Sequence, residues 1–191
     1  MNSLLSAHLG VLVIDVQVGL FQTDPPPFEA SKVIARINSV TAKARTVGVP
    51  VVFVRHDGPP DGKWLVPDSA GWQLHPELKR DAGELVIRKT TGNAFYGTDL
   101  ENVLRSRGIL SLVIVGYATD FCVDSTLRNA VSKDFKVFVV SDAHTTNDGP
   151  ALKAALIRQH FNWIWAENSF DGVHVLSAED FQLEPALVSA R

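Results

Sequence analysis

A buried strand followed directly by a helix is predicted by residues 109–133, which read Ile-Leu-Ser-Leu-Val-Ile-Val-Gly-Tyr-Ala-Thr-Asp-Phe-Cys-Val-Asp-Ser-Thr-Leu-Arg-Asn-Ala-Val-Ser-Lys. Residues 112–115 are apolar and mostly β-branched, which is typical of a strand buried on both faces, and Gly116 is expected to end it. Beyond the glycine, apolar residues recur with the period of a helix, in a stripe formed by Val123, Leu127, Ala130 and Val131. Thr119 and Asp120 are expected to cap the N-terminus of that helix.

The single cysteine of the chain, Cys122, falls in the first turn of this helix, just past the carboxyl end of the strand. Unpaired N–H groups and the helix dipole favour an anion there, so we expect the thiol to ionise more readily than a free one. The same N–H groups could hold a developing oxyanion. Two interpretations stay open at this point. Cys122 is either a nucleophile or a small buried hydrophobic residue, which is the commonest fate of a lone cysteine.

The composition is that of an ordinary globular protein, with 46% hydrophobic and 20% charged residues. A length of 191 residues and a formal net charge of −3 predict one domain over residues 1–191 and give no case for binding nucleic acid or a membrane surface. One cysteine excludes an intrachain disulfide, which favours a reducing compartment. No stretch resembles a membrane span or a signal peptide, so we expect a cytoplasmic protein.

Strands and helices alternate along the chain. Strands are predicted at residues 11–14, 50–55, 85–89, 112–115, 136–141 and 162–166. Helices are predicted at 29–47, 98–107 and 149–161, besides the one after Cys122 and a short terminal one beginning at 177–180. This alternation predicts a three-layer, doubly wound α/β fold, with a mainly parallel six-stranded sheet and helices on both faces. Residues 56–84 are irregular and rich in proline, glycine and tryptophan, which indicates a functional loop.

Three chemically active residues lie at the carboxyl ends of predicted strands. With a strand order of 3-2-1-4-5-6, the first and fourth strands are neighbours, and ligands of such sheets bind in the crevice beyond their ends. Asp15 ends the first strand, Lys89 the third, and Cys122 follows the fourth. A base, a cation and a thiol are what nucleophilic catalysis by cysteine requires. Each alone has an ordinary interpretation, and whether Lys89 reaches inward stays open.

Five stretches of the chain resemble, in order, those of the isochorismatase-like cysteine hydrolase family. They are Val-Leu-Val-Ile-Asp-Val-Gln (11–17), Gly-Trp-Gln-Leu-His-Pro-Glu-Leu (71–78), Val-Ile-Arg-Lys (86–89), Ala-Phe-Tyr-Gly-Thr-Asp-Leu (94–100) and Gly-Tyr-Ala-Thr-Asp-Phe-Cys-Val (116–123). The family includes nicotinamidases, carbamoyl and ureido amidohydrolases, and some lactam and hydrazide hydrolases. The resemblance covers nearly the whole chain, and its last stretch is the most specific.

The resemblance implies that Asp15, Lys89 and Cys122 form a catalytic triad. It also implies a cis peptide bond between Tyr117 and Ala118, and an oxyanion hole made by the N–H groups of Ala118 and Cys122. The expected reaction is hydrolysis of a C–N bond in a small amide, ureido, lactam or hydrazide substrate through a thioester. Because family members are usually oligomeric, a homo-oligomer is expected, and Trp163 and Trp165 of the predicted last strand could serve an interface or fill the core.

Aromatic residues in the loops beside the triad are candidate substrate contacts, although each could equally fill the core or an interface. They are Phe21, Trp64, Phe95, Tyr96, Tyr117 and Phe121. Nicotinamidases of this family carry an Asp/His cluster after the second strand. The same region here offers His56, Asp57, Asp61, Asp68 and His75 without the close Asp-x-His pattern, so we expect neither a metal nor another cofactor. Trp72 and His75 match a family stretch but suggest no catalytic role.

Four alternatives remain. A vinyl-ether hydrolase acting on isochorismate belongs to the same fold but needs no thiol. A phospho-receiver module could use Asp15, Asp57 and Lys89, but the chain is long for one and Cys122 would be idle. A nucleotide-binding protein is less favoured, because no G-x-G-x-x-G follows the first strand. The last alternative is a catalytically inactive binding protein.

Overall fold

Six parallel strands form the central sheet of the computed structural model, which describes residues 4–62, 64–167 and 172–185. The chain begins with a two-residue strand, β1 (Leu4–Leu5), which pairs with another, β8 (Leu183–Glu184). The central strands are β2 (Leu9–Ile14), β3 (Val51–His56), β4 (Leu85–Lys89), β5 (Ser111–Tyr117), β6 (Lys136–Thr145) and β7 (Val173–Leu176). Their order is β4-β3-β2-β5-β6-β7, with every neighbouring pair parallel, which confirms the predicted doubly wound topology.

Helices cover both faces of the sheet and complete the three layers. They are α1 (Val18–Phe21), α2 (Ala30–Thr46), α3 (Leu100–Ser106), α4 (Asp124–Ser132) and α5 (Ala154–Glu167), with a π-helical turn at Thr119–Val123. Alternate side chains of β2 point to opposite faces: Val11 and Val13 pack against α2, whereas Leu12 and Ile14 pack against α3, α4 and α5. No helix in the described part of the chain has the length and hydropathy of a membrane span.

The predicted last strand is wrong. Residues 162–166 belong to α5, which begins at Ala154 instead of residue 149 and runs past residue 161 to Glu167. The alternating Trp163-Ile164-Trp165 is part of a helical stripe, because Phe161, Ile164 and Trp165 all pack into the same core cluster. The sixth strand is β7, whose Val173 and Val175 pack against this cluster.

Two predictions about chain ends and capping are also wrong. Residues 177–180 form a single turn, closed by hydrogen bonds between Ser177 and Asp180, and no helix follows it in the described residues up to 185. Thr119 and Asp120 do not cap the helix with their side chains, because both side chains form hydrogen bonds elsewhere: Thr119 with a residue of β6, and Asp120 with the residue after β6. The Thr119 hydroxyl bonds Nδ1 of His144, and Asp120 accepts a hydrogen bond from Thr146.

Gly116 lies within β5 rather than ending it. Its φ is 125°, and a Cβ there would lie 2.1 Å from the carbonyl oxygen of Ile14 on β2. Only glycine fits a positive φ with the backbone of a neighbouring strand so close. The register of β5 with β6 also shifts between Ile114 and Gly116. The glycine therefore lets β2 and β5 approach closely just before Asp15, which follows β2, and Tyr117, the last residue of β5.

Candidate active site

Asp15, Lys89 and Cys122 meet at the carboxyl edge of the sheet. Asp15 follows β2, Lys89 is the last residue of β4, and Cys122 lies in the π-helical turn after β5. The Lys89 Nζ atom is 2.6 Å from Oδ2 of Asp15 and 3.5 Å from Sγ of Cys122. Lys89 therefore turns inward and reaches past β3 from the edge strand, which settles the point that the sequence left open.

The carboxylate of Asp15 is buried and held by an unusual backbone conformation. Its residue exposure is 1% and its φ is 50°, a left-handed conformation that aspartate tolerates better than most residues. Oδ2 is paired with Lys89, whereas Oδ1 is buried and accepts no hydrogen bond from the described residues. A buried oxygen with free lone pairs beside a thiol is well suited to accept a proton.

The thiol of Cys122 is protonated in the resting site. Burial, together with the negative charge of Asp15, raises its pKa to about 12, although Lys89 opposes both. The prediction that the thiol ionises easily is therefore wrong, because the turn buries the sulfur and places a carboxylate beside it. Burial also raises the pKa of Asp15, against the opposing charge of Lys89. A nucleophilic role for this sulfur would therefore require a base to take its proton, and Asp15 is beside it.

His56 is a fourth member of this cluster, which the sequence suggested only as a metal ligand. Lys89 Nζ lies 3.1 Å from Nδ1 of His56 and donates to the carbonyl oxygen of Thr91 at 2.9 Å. Because an ammonium only donates, Nδ1 of His56 accepts and carries no proton. Burial and the charge of Lys89 lower the pKa of His56, which keeps the imidazole neutral. The signal was present in the predicted fold, since His56 pairs with Lys89 in register at the end of β3.

The same contacts bear on whether these residues could bind a metal ion. Ligand atoms of Asp15, His56 and Cys122 lie within 4.8 Å of one another, as in a metal site. However, the ammonium of Lys89 contacts all three side chains and would repel a cation. Of the other candidates, Asp57 bonds Arg88 and Trp72, and His75 packs against Phe21. These residues do not fit a resident metal.

Gln17 fixes the loop that follows β2, and sequence reasoning missed it although it lies in a matched stretch. Its buried Nε2 group donates to the carbonyl oxygens of His56 and Trp72, and its Oε1 accepts from the N–H of His56. Trp72 in turn donates from Nε1 to Asp57, and the guanidinium of Arg55 lies 3.2 Å from its ring centroid. Trp72 therefore has a structural role, in anchoring the loop over the end of the sheet.

A cavity of about 360 Å³ opens onto Asp15 and Cys122, and its size suits a small molecule. It is lined by Asp15, Leu20, His56, Leu65, Tyr117, Ala118, Asp120, Phe121, Cys122 and Thr146. Of the predicted aromatic contacts, Tyr117 and Phe121 are among these residues. The structure places the other four outside the lining: Phe21 and Phe95 are buried in the core clusters, and Trp64 and Tyr96 are exposed. Sequence reasoning missed five lining residues: Leu20, His56, Leu65, Asp120 and Thr146.

The turn that carries Cys122 is held by backbone and side-chain bonds. The Tyr117–Ala118 peptide bond is cis, and the carbonyl oxygen of Ala118 accepts the N–H groups of Phe121 and Val123. The buried His144 accepts a hydrogen bond from Thr119 through Nδ1 and donates from Nε2 to Asn162. Ala118 and Cys122 both line the cavity.

Comparison with known proteins identifies relatives of this chain. The family model of the isochorismatase domain matches residues 10–166. The chain is 36% identical over 141 residues to a streptothricin hydrolase of Streptomyces noursei, covering 74% of this chain and 51% of that protein. It is 35% identical over 170 residues to the ureidoacrylate amidohydrolase RutB of Pseudomonas savastanoi pv. phaseolicola, covering 72% and 69%.

Solved structures agree with the sequence comparison. The crystal structure of a putative isochorismatase hydrolase from Oleispira antarctica superimposes with a TM-score of 0.84 at 30% identity, covering 94% of this chain and 97% of that one. This chain thus spans nearly the whole of that structure, but only about half the length of the streptothricin hydrolase.

Proposed function

We propose, since this chain belongs to the isochorismatase family, that it is a cysteine hydrolase that cleaves a C–N bond in a small amide, ureido, lactam or hydrazide substrate. One observation carries this proposal. Cys122 and Asp15, whose carboxylate is half free, line one cavity, and the ammonium of Lys89 contacts both side chains. Two relatives, a streptothricin hydrolase and a ureidoacrylate amidohydrolase, support hydrolysis as the reaction class.

Acylation follows from the protonation states of the site. The thiol proton passes to Asp15 as the sulfur of Cys122 attacks the substrate carbonyl carbon, and Lys89 stabilises the developing thiolate charge. The N–H groups of Ala118 and Cys122 hold the oxyanion of the tetrahedral intermediate. The protonated Asp15 then gives its proton to the leaving nitrogen, the C–N bond breaks, and a thioester to Cys122 remains.

Deacylation uses the same groups in reverse. A water molecule entering through the cavity loses a proton to Asp15 and adds to the thioester carbonyl carbon. Collapse of this second tetrahedral intermediate breaks the C–S bond and releases the acid. The leaving sulfur takes back the proton from Asp15, which restores the resting thiol.

The proposal is tested with the full-length protein on a panel of small amides, ureas, lactams and hydrazides, by following release of ammonia or amine. Wild-type protein should turn over at least one class, and Cys122→Ala and Cys122→Ser should lower its rate by about 10³-fold or more. Because the chain has one cysteine, an acyl adduct seen by mass spectrometry after an acid quench is assigned to Cys122. Unaltered turnover in Cys122→Ala, or pyruvate release from isochorismate by that variant, would contradict the mechanism.

We also propose a cytoplasmic homo-oligomer whose sole substrates are small molecules. An apolar patch on and before α5 supports the oligomer, since Leu152, Leu156 and Trp163 are each about half exposed around a surface depression. Light scattering after size exclusion should give a mass above one chain, and Trp163→Glu should lower it. A wild-type mass equal to one chain would exclude the oligomer.

A further inference from the structure

The cavity over the triad carries an excess of negative charge. Two of its lining residues are carboxylates, Asp15 and Asp120. The charge of Asp15 is matched by Lys89 at 2.6 Å. Asp120 forms no ion pair with any described residue, and its one hydrogen bond is accepted by Oδ1 from the hydroxyl of Thr146 at 2.7 Å. The described lining includes no arginine or lysine, and His56 is neutral.

Most of the remaining lining is apolar, apart from His56 and Thr146, and Asp120 itself is exposed to solvent. Leu20, Leu65 and the ring of Phe121 border the cavity together with Tyr117. Burial, with a smaller contribution from the charge of Asp120, raises the pKa of Tyr117 to about 12. The charge of Asp120 is therefore felt at another residue that lines the cavity.

We propose that Asp120 is a specificity-determining residue, which selects amide substrates that carry a cationic nitrogen group beside the scissile bond. An ammonium, amidinium or guanidinium group would find one unpaired carboxylate and a hydroxyl acceptor at Thr146. A carboxylate-bearing substrate would meet that charge without a compensating cation in the described lining. This inference rests on the proposed hydrolysis for its substrate class, and it sets the chain apart from a relative named for ureidoacrylate, a carboxylate.

A purely structural role for Asp120 is separable from this one. Its hydrogen bond from Thr146 joins the π-helical turn to the residue after β6, and a neutral amide oxygen can also accept that bond. Asp120→Asn therefore removes the charge and keeps an oxygen acceptor for Thr146. Because the side chain is exposed, the replacement does not leave a buried group unpaired.

The test compares three flat amides of similar size: benzamide, para-aminomethylbenzamide and para-carboxybenzamide. Their dissociation constants are measured by calorimetry with Cys122→Ala, which cannot turn them over. The cationic amide should bind about two- to fivefold more tightly than benzamide, the range expected for one solvent-exposed ion pair, and the anionic amide more weakly than both. This preference should weaken as salt is raised.

The decisive comparison is the same series with Asp120→Asn in the Cys122→Ala background. The ratio of the cationic to the neutral dissociation constant should approach one. Glu184→Gln, which removes one negative charge from β8 outside the cavity, should keep the original ratio. An unchanged ratio in Asp120→Asn, or no measurable binding of the cationic amide, would overturn the inference. Since binding needs no turnover, a charge preference without hydrolysis by wild-type protein would refute only the proposed reaction.

Discussion

The ammonium of Lys89 lies 2.6 Å from the carboxylate of Asp15, and neither side chain is more than 1% exposed. In the low-dielectric interior, each charge is stabilised by the opposite charge in place of water. The pair thus ties two strands of the sheet together, since Asp15 follows β2 and Lys89 ends β4, with β3 between them.

Lys89→Met should destabilise the fold by about 3–5 kcal/mol, because it leaves the buried carboxylate of Asp15 without a partner. The double variant Asp15→Asn with Lys89→Met should recover a large part of this loss, since neither charge then remains buried. Urea unfolding followed by tryptophan fluorescence gives both free energies. A double variant no more stable than Lys89→Met would show that the loss comes from packing instead of charge.

Asp15→Asn should abolish hydrolysis yet make Cys122 more reactive toward iodoacetamide. The charge of Asp15 raises the pKa of the thiol and Lys89 lowers it, so removing Asp15 leaves the cation unopposed. The fraction of thiolate near neutral pH then rises and alkylation accelerates. Mass spectrometry of the single cysteine over time measures the rate, with wild-type protein as reference. Slower alkylation of the variant would refute the assigned origin of the thiol pKa.

His56 should act by positioning Lys89. His56→Leu removes the acceptor at Nδ1 and should lower kcat by about 10–100-fold, the effect of losing one hydrogen bond to a charged group. His56→Asn places an amide oxygen near the same point, so it should retain most of the activity. Equal losses of kcat in both variants, or a change confined to KM, would argue that His56 contacts substrate only.

Local patterns combined by one topological rule were sufficient for five of the six central strands and for the edge at which the three residues lie, whereas the triad itself was implied by the family resemblance. Apolar β-branched runs identify buried parallel strands, and residues that follow them collect at one edge. Asp15, Lys89 and Cys122 could be placed there without coordinates. The strand predicted at 162–166 was wrong because Trp163-Ile164-Trp165 alternates like a strand, and only its packing partners show that it is helical.

The cavity lining was less predictable because it depends on chain segments that are distant in sequence and irregular in structure. Leu65 lies in the long loop after β3, and Thr146 follows β6. The prediction that the Cys122 thiol ionises easily was wrong for a related reason. A helix N-terminus predicts a low thiol pKa, but burial and the neighbouring carboxylate reverse it, and both are tertiary effects.

The buried His144 should make the stability of the fold depend on pH between about 4 and 6.5. Burial lowers its pKa from 6.5 to about 4, so the unfolded chain binds a proton in this window and the folded protein does not. The contribution of His144 to the free energy of unfolding is therefore fully present above pH 6.5. It is lost as the pH drops towards 4, by about 3 kcal/mol in total. Urea unfolding at pH 7 and pH 5 should show a smaller difference for His144→Gln than for wild type. His160→Gln, at an exposed position on the same helix as Asn162, is the matched control, and an undiminished pH effect in His144→Gln would exclude this origin.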